Sequence, residues 1–248
     1  MDHKAKILCL MMLTCSTFAA AGDMTLWYDE PAAAWVQALP LGNGRLGAMV
    51  FGGTAKEQIQ LNEETIWAGE PGNNIPKGFN EILDESRKLI FAGKYKEAED
   101  LIMSRVPRYA PKDNNYGMPY QTAGDLFINF PGQEQVQDYR RDLNIQDAVS
   151  SVTYSVNGVH YRRETFASLA DDAIYIRLTA DQTGKIDCDL SLSTPQHNQQ
   201  LSIKKDTLAL TAISEDRANK KGKVKFEIQL RPILEGGNIT MTDSGLNI

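Results

Sequence analysis

Cysteine is scarce where it would carry structure or chemistry. The sequence holds three, and Cys9 and Cys15 fall within the first 21 residues. Only Cys188 remains beyond them, so neither an internal disulfide nor a cysteine-rich metal site can form there. Cys188 reads as a small hydrophobe buried in a strand. Histidine is equally sparse, with three in the whole chain. His160 lies on a hairpin strand and reads as a surface or half-buried residue. His197 falls in a polar loop. Neither stands near carboxylates at ligand spacing, so no metal is expected, and nothing calls for a cofactor. Basic charge is not in excess. A formal net charge of -6 leaves no electrostatic footprint for nucleic acid or an anionic membrane. No run past the N-terminus is long and apolar enough to span a bilayer.

The N-terminus does carry an address. Lys4 and Lys6 precede an apolar stretch at 7–14 and a small-residue zone at 18–21. That order predicts a secretory signal peptide over 1–21, cleaved after Ala21, and a periplasmic or secreted product. A lipoprotein signal with Cys15 as the lipidated residue ranks second, because Thr14 stands where such signals want a smaller residue. The full 248-residue chain is 42% hydrophobic and 23% charged, and the remainder at 22–248 reads as one globular domain with a sizeable core.

The chain is organised around LPLGNGRLGAMVFGG at 39–53 and its sequel QLNEETIWAG at 60–69. Gly42, Asn43 and Gly44 read as a tight loop that needs positive φ. The apolar run 46–51, which includes Gly47, suits a central strand buried on both faces. Arg45 is expected to satisfy loop carbonyls or to pair with a carboxylate. The loop has no lysine and no helix after it, which excludes a phosphate cradle. In the sequel, Ile59 and Leu61 alternate with Gln58 and Gln60, and the strand ends on Asn62, Glu63, Thr65 and Trp67. Those four form the candidate contact set for a substrate. Their alternative role is to cap strands and hold an interdomain contact. Glu63 and Glu64 are adjacent on a strand, so they point to opposite faces and do not read as a paired acid and base.

Elsewhere the pattern is mainly β. Residues 26–28 form a first strand, and 32–38 a lead-in with Trp35 packed down. A short helical insertion at about 78–105 divides into two helices at Ala92-Gly93. A long loop at 108–122 carries Tyr109, Tyr116 and Tyr120, which either stack on sugar or pin the loop to its domain. Short strands then follow to the end. Asn157-Gly158 marks a type I′ hairpin, and 224–231 alternates as a strand with one wet face. Many short strands joined by hairpins imply an antiparallel β-sandwich of two sheets. Residues 246–248 read as the start of a strand, so the sandwich is expected to be incomplete at that end, with an open sheet edge.

These residues carry a family resemblance. The matching stretches are Leu26-Trp27-Tyr28, PLGNGRLGAMVFG at 40–52, LNEETIW at 61–67 with Gly69, Gly124-Asp125-Leu126, YRRDL at 139–143, Ala148-Val149 and RETFAS at 163–168. Together they resemble the N-terminal domain of glycoside hydrolase family 95, the inverting α-L-fucosidases. The glycine-rich stretch alone recurs in related disaccharide phosphorylases, and the Asn-Glu-Glu-Thr-x-Trp element adds specificity. The resemblance implies a large two-sheet β-supersandwich, followed in the family by a helical linker, an (α/α)6 barrel and a C-terminal β-domain. It also implies that the catalytic carboxylates lie in that barrel and that this chain is inactive alone. Contact with a fucosylated oligosaccharide or polysaccharide would come through the catalytic domain that this chain lacks. A stand-alone carbohydrate-binding β-sandwich module is the alternative.

Overall fold

The computed structural model describes residues 24–70, 78–105, 118–217 and 219–248. The signal peptide read at 1–21, and Tyr109 and Tyr116 of the long loop, lie outside the described residues. The described strands form three antiparallel sheets. One holds β1 (Thr25–Tyr28), β6 (Gln137–Asn144), β7 (Val149–Val156), β8 (Val159–Ser168) and β9 (Ala173–Ala180), in the order β1-β6-β7-β8-β9. A seven-stranded sheet combines β2 (Leu39–Gly42), β3 (Leu46–Val50), β4 (Lys56–Glu63), β5 (Gly124–Asn129), β10 (Asp189–Ser193), β14 (Thr240–Met241) and β15 (Gly245–Asn247). Its order is β14-β15-β10-β5-β4-β3-β2. The third sheet is β11 (His197–Lys204), β12 (Thr207–Ile213) and β13 (Lys225–Leu230).

Local signals account for much of this. Asn157 and Gly158 take φ of 50° and 77°, the two left-handed residues a type I′ hairpin requires between β7 and β8. β13 alternates exposed and half-buried residues, as its pattern predicts. The helical insertion is α1 (Phe79–Phe91) and α2 (Tyr95–Arg105), broken at Ala92-Gly93 as expected. Its apolar stripe is less buried than the periodicity implies. Ile82, Leu83 and Leu89 are half-buried and Ile90 is exposed, while the small residues Ser86 and Ala98 are buried.

The main core cluster is fed by all three sheets, and a smaller one gathers Val152, Tyr154 and Val156 of β7. In the main cluster, Leu39, Leu41, Val50, Ile59, Leu126, Ile128 and Leu190 come from the seven-stranded sheet, Leu143 and Ile176 from the five-stranded, and Leu208 and Leu210 from the third. β2 and β3 lie against β7, β8 and β9, whereas β10 lies against β12. The mainly-β, antiparallel class is borne out, but the second layer is divided between two sheets. Hydrophobic alternation fixes which face of a strand is buried; it does not say which strands share a ladder.

Several local expectations change. The stretch at 39–53 is not central: β2 is the edge of its sheet, β3 lies next to it, and β5 is the middle strand. β3 is buried on one face only, through Ala48 and Val50, while Met49 sits half-buried opposite Gln60. Trp35 does not pack down. It is 53% exposed, and its Nε1 donates to Gln60 Oε1 at 2.8 Å. His197 opens β11 and is not in a loop. Residues 245–247 are paired on both sides, with β10 and with β14, and so do not form an open edge. Cys188 is fully buried beside β10, and burial pushes its thiol up to about 12.

The layers are joined by a buried ion pair. Arg163 on β8 is 4% exposed and Glu57 on β4 is 2% exposed. Arg163 NH1 lies 3.2 Å from Glu57 Oε2, at ion-pair distance but without hydrogen-bond alignment. Arg163 NH2 donates to the Gly53 carbonyl. Glu57 Oε1 accepts from the N–H groups of Gly52, at 2.7 Å, and Gln58, at 3.1 Å. Burial pushes the Glu57 carboxyl up, opposed by Arg163 and by the backbone N–H groups of Gly52, Gln58 and Gly53. Glu57→Gln leaves the buried Arg163 guanidinium without its counter-charge, so it should cost about 3–5 kcal/mol in urea unfolding. Adding Arg163→Met should recover a large part of that loss. A double variant as unstable as the sum of both singles would mean that the two side chains do not act as a pair.

Candidate functional site

The residues that flank β2, β3 and β4 converge at one end of the sandwich. Gly44, at φ +95°, makes the β2–β3 turn, while Gly42 closes β2 without positive φ. Asn43 Oδ1 accepts from the backbone N–H of Arg45 (3.1 Å) and Leu46 (2.7 Å). That side-chain turn leaves Nδ2 free to reach the other layer. It donates to the Ser168 carbonyl at 2.9 Å and to Asp172 Oδ1 at 3.1 Å. Arg45 spans the same gap. Its Nε donates to Glu63 Oε1 at 3.0 Å and its NH1 to Asp172 Oδ2 at 2.7 Å.

Glu63 is thereby fully engaged. Its second oxygen accepts from the Thr65 backbone N–H at 2.8 Å and from Thr65 Oγ1 at 2.6 Å. Burial pushes the Glu63 carboxyl up, but the Thr65 donors and Arg45 outweigh it and hold the group below the usual carboxylate range. The hydrogen bond to Glu63 and the charge of Asp172 raise Arg45 above its ordinary value. Glu63 is therefore a fixed anionic acceptor and not a proton donor at neutral pH.

Beyond β4 the chain keeps an alternating pattern. Ile66 and Ala68 are each 2% exposed, and Trp67 between them points outward, 46% exposed. Tyr120 lies opposite in an isolated bridge, 45% exposed, with the ring centroids 5.4 Å apart and the planes at 70°. Trp67 Nε1 donates to the Glu64 carbonyl at 2.9 Å, and the Tyr120 hydroxyl to the Glu63 carbonyl at 3.0 Å. Ala68 N–H to Pro119 O and Gln121 N–H to Ile66 O tie the two segments together.

The structure thus brings Glu63, Thr65 and Trp67 together with Asn43 and Arg45. It sets Asn62 apart. Asn62 pairs with Gly47 in the ladder and shares the outer face with Gln58 and Gln60, because alternate residues of a strand face opposite ways. Gly47 packs there as ordinary backbone beside Asn62. Asp172 went unread in the sequence, where it is simply a turn acid between two strands. Among the described residues no group of three side chains could hold a metal ion. Two cavities, of about 500 and 390 Å³, are lined by no residue of this rim. The first contains Ser155 Oγ and His160 Nδ1 at 2.8 Å, but Asp181 accepts from the His160 backbone and not from its ring, so no triad forms.

The depressed Glu63 value has a pH signature. A carboxyl lower in the folded than in the unfolded chain contributes stability that is full above the unfolded value and lost as pH falls through the folded one. Glu63→Gln should therefore cost about 1 kcal/mol at neutral pH. The gap to the parent, read as urea midpoints across a pH series, should close on the acid side. A gap that persists unchanged into acid would mean that Glu63 does not carry this charge.

Comparison with known proteins identifies a family. The family described as Glycosyl hydrolase family 65, N-terminal domain, matches residues 26–248. The chain is 33% identical over 178 residues to Alpha-L-fucosidase 2 of Arabidopsis thaliana, covering 71% of this chain and 20% of that protein. It is 31% identical over 176 residues to Probable alpha-fucosidase A of Aspergillus niger, covering 67% and 21%. A protein of the same description from Aspergillus oryzae is 29% identical over 184 residues, covering 70% and 24%. The matched region spans about a fifth to a quarter of these relatives. The family description carries the number 65 where the sequence resemblance named family 95, and the relatives are fucosidases, as that resemblance implies. On the match from Leu26 onward and the mainly-β fold together, the chain belongs to the family of glycosyl hydrolase N-terminal domains.

Proposed function

We propose that this chain is the N-terminal accessory domain of a secreted, inverting α-L-fucosidase acting on fucosylated oligosaccharides or polysaccharides. Its part is to supply a wall of the sugar site, and the bond-breaking groups lie in the remainder of the longer protein. The observation that carries this reading is the rim itself: Trp67 and Tyr120 remain nearly half exposed above a Glu63 whose oxygens are both engaged.

Inversion needs two carboxyl groups about 6.5–9.5 Å apart, one protonated and one free to activate water. Glu63 fits neither role, being held ionised by Thr65 and Arg45. An exposed aromatic pair is suited to something else. Its faces match the apolar side of a pyranose, and exposed apolar surface of this kind marks a contact. Similarity to α-fucosidases supports fucose as the sugar. The leader at 1–21 supports export, with lipidation at Cys15 as the variant form.

The full chain, purified and assayed on an aryl α-L-fucoside, should show no turnover. Turnover that disappears on Glu63→Gln would place the chemistry in this domain and overturn the reading. Tight binding of a fucosylated oligosaccharide by the chain alone would favour an independent carbohydrate-binding module.

A further inference from the structure

The proposed wall is held by a residue of the opposite layer. Several contacts fix the turn that carries Trp67 away from β4, among them Ile66 N–H to the Glu63 carbonyl and Trp67 Nε1 to the Glu64 carbonyl. Thr65 donates to the Glu63 carboxylate, the Glu64 N–H donates to the Arg45 carbonyl, and Tyr120 donates to the Glu63 carbonyl. The last two end on main-chain carbonyls, whereas the Thr65 contact runs through the Glu63 carboxylate that Arg45 also holds. Arg45 is itself gripped from two sides, by Glu63 of its own sheet and by Asp172 of the turn between β8 and β9. The two oxygens of Asp172 go separately to Asn43 and Arg45. Its φ of 51° is a left-handed conformation that Asp and Asn tolerate better than most residues.

We infer that Asp172 is a positioning residue for Trp67, acting through Arg45 and Glu63. It sets the attitude at which the indole face is offered to the apolar side of a neutral sugar ring. The ligand in this inference rests on the sugar-wall reading, whereas the relay from Asp172 to Trp67 does not. An exposed ion pair contributes little to global stability. The effect of Asp172 therefore belongs in the local environment of Trp67 and not in the unfolding midpoint. Removing the Asp172 charge leaves the guanidinium on Glu63 alone and frees it to swing toward solvent, taking the Glu63 carboxylate out of register with Thr65.

The test uses the full chain with Trp27→Phe and Trp35→Phe, which leaves Trp67 as the one tryptophan of the original three. Asp172→Asn keeps the tolerance for positive φ and the oxygen that Asn43 uses, and removes the anion from Arg45. It should shift Trp67 emission to the red and raise its acrylamide quenching constant, with the thermal midpoint nearly unmoved. Arg45→Met should give the same shift, and the double variant no more than either single, because the two act in series. Asp171→Asn makes the same charge change in the same turn, but Asp171 is bonded to Ser168 and Tyr175, so emission should stay put. Unchanged emission in Asp172→Asn, or an equal shift in Asp171→Asn, overturns the relay. An L-fucose titration separates the two ideas. If Asp172→Asn shifts emission but fucose leaves the parent signal still, the relay stands and the sugar wall falls. If fucose moves the parent signal and Asp172→Asn does not, the wall stands without Asp172.

Discussion

The buried pair of Arg163 and Glu57 sets the relation between the two layers, and the exposed rim inherits it. Two arginines of the five-stranded sheet stitch loops of the other layer from within. Arg163 holds the 52–53 turn through the Gly53 carbonyl and Glu57. Arg141, 2% exposed, donates to the carbonyls of Glu30 and Gln37 at 2.8 Å each and fixes the lead-in to β2. Aromatic rings line both cations, with Phe130 and Tyr154 near Arg163 and Tyr28 over Arg141. The turn has no room for a side chain. A Cβ on Gly52, which sits at φ +79°, would meet the Tyr139 hydroxyl at 2.7 Å and Arg141 Cδ at 2.9 Å. Buried pairs of this kind are weak sources of net stability, since desolvation offsets attraction. Their geometric demand is strict, however, and here it determines where β4 lies over β8. Ser168 is five residues along β8 from Arg163, about 17 Å of extended chain. Once Glu57 and Arg163 meet, the far end of β8 has one place to go, which is beside Asn43 and Arg45.

Much of the fold could be read from local pattern. Asn157-Gly158 dictates its hairpin, the alternation of Phe226, Ile228 and Leu230 its wet-faced strand, and Gly93 the break between helices. What could not be read is pairing at a distance. Nothing near the apolar run at 46–51 says that its strand, β3, ends up next to a sheet edge with only β2 outside it. Nor does a strand written Arg-Glu-Thr-Phe announce that its arginine is interior. Arg163 would ordinarily be placed on the wet face, and only a partner more than a hundred residues away in the chain, Glu57, makes burial tolerable. Trp35 shows the converse error: a large aromatic invites a core assignment, yet a hydrogen bond to Gln60 holds it on the surface.

The rim divides along the same line. Glu63, Thr65 and Trp67 are legible as a polar and aromatic cluster at a strand end. Asn62 belongs to the same stretch of letters but to the other face, because the pleat of β4 separates neighbours that the alphabet joins. Asp172 is invisible from sequence for a different reason. It is 127 residues from Arg45, and a turn acid carries no mark of the partner it will find. Side chains that act on a site through others are the hardest to see from sequence, since their chemistry is satisfied in the fold and absent from the motif.

That satisfaction bears on what the rim can do. Every carboxylate that touches Arg45 is already bound, so the polar groups serve to hold a surface in place. The surface they hold is aromatic, edge against face, and anchored by backbone hydrogen bonds at Ile66 and Ala68. A contact prepared in this way loses little conformational freedom when a ligand arrives, and that saving appears directly in affinity. On the proposed reading this is a sufficient reason for a hydrolase to keep a large β-domain beside its catalytic one. The chemistry needs carboxylates free to move protons, the wall needs carboxylates that are not free at all, and one set of residues cannot satisfy both. On that same reading, placing the wall on a separate layered scaffold, with its charges locked between two sheets, would let catalytic groups elsewhere be tuned without loosening the surface proposed to orient the sugar.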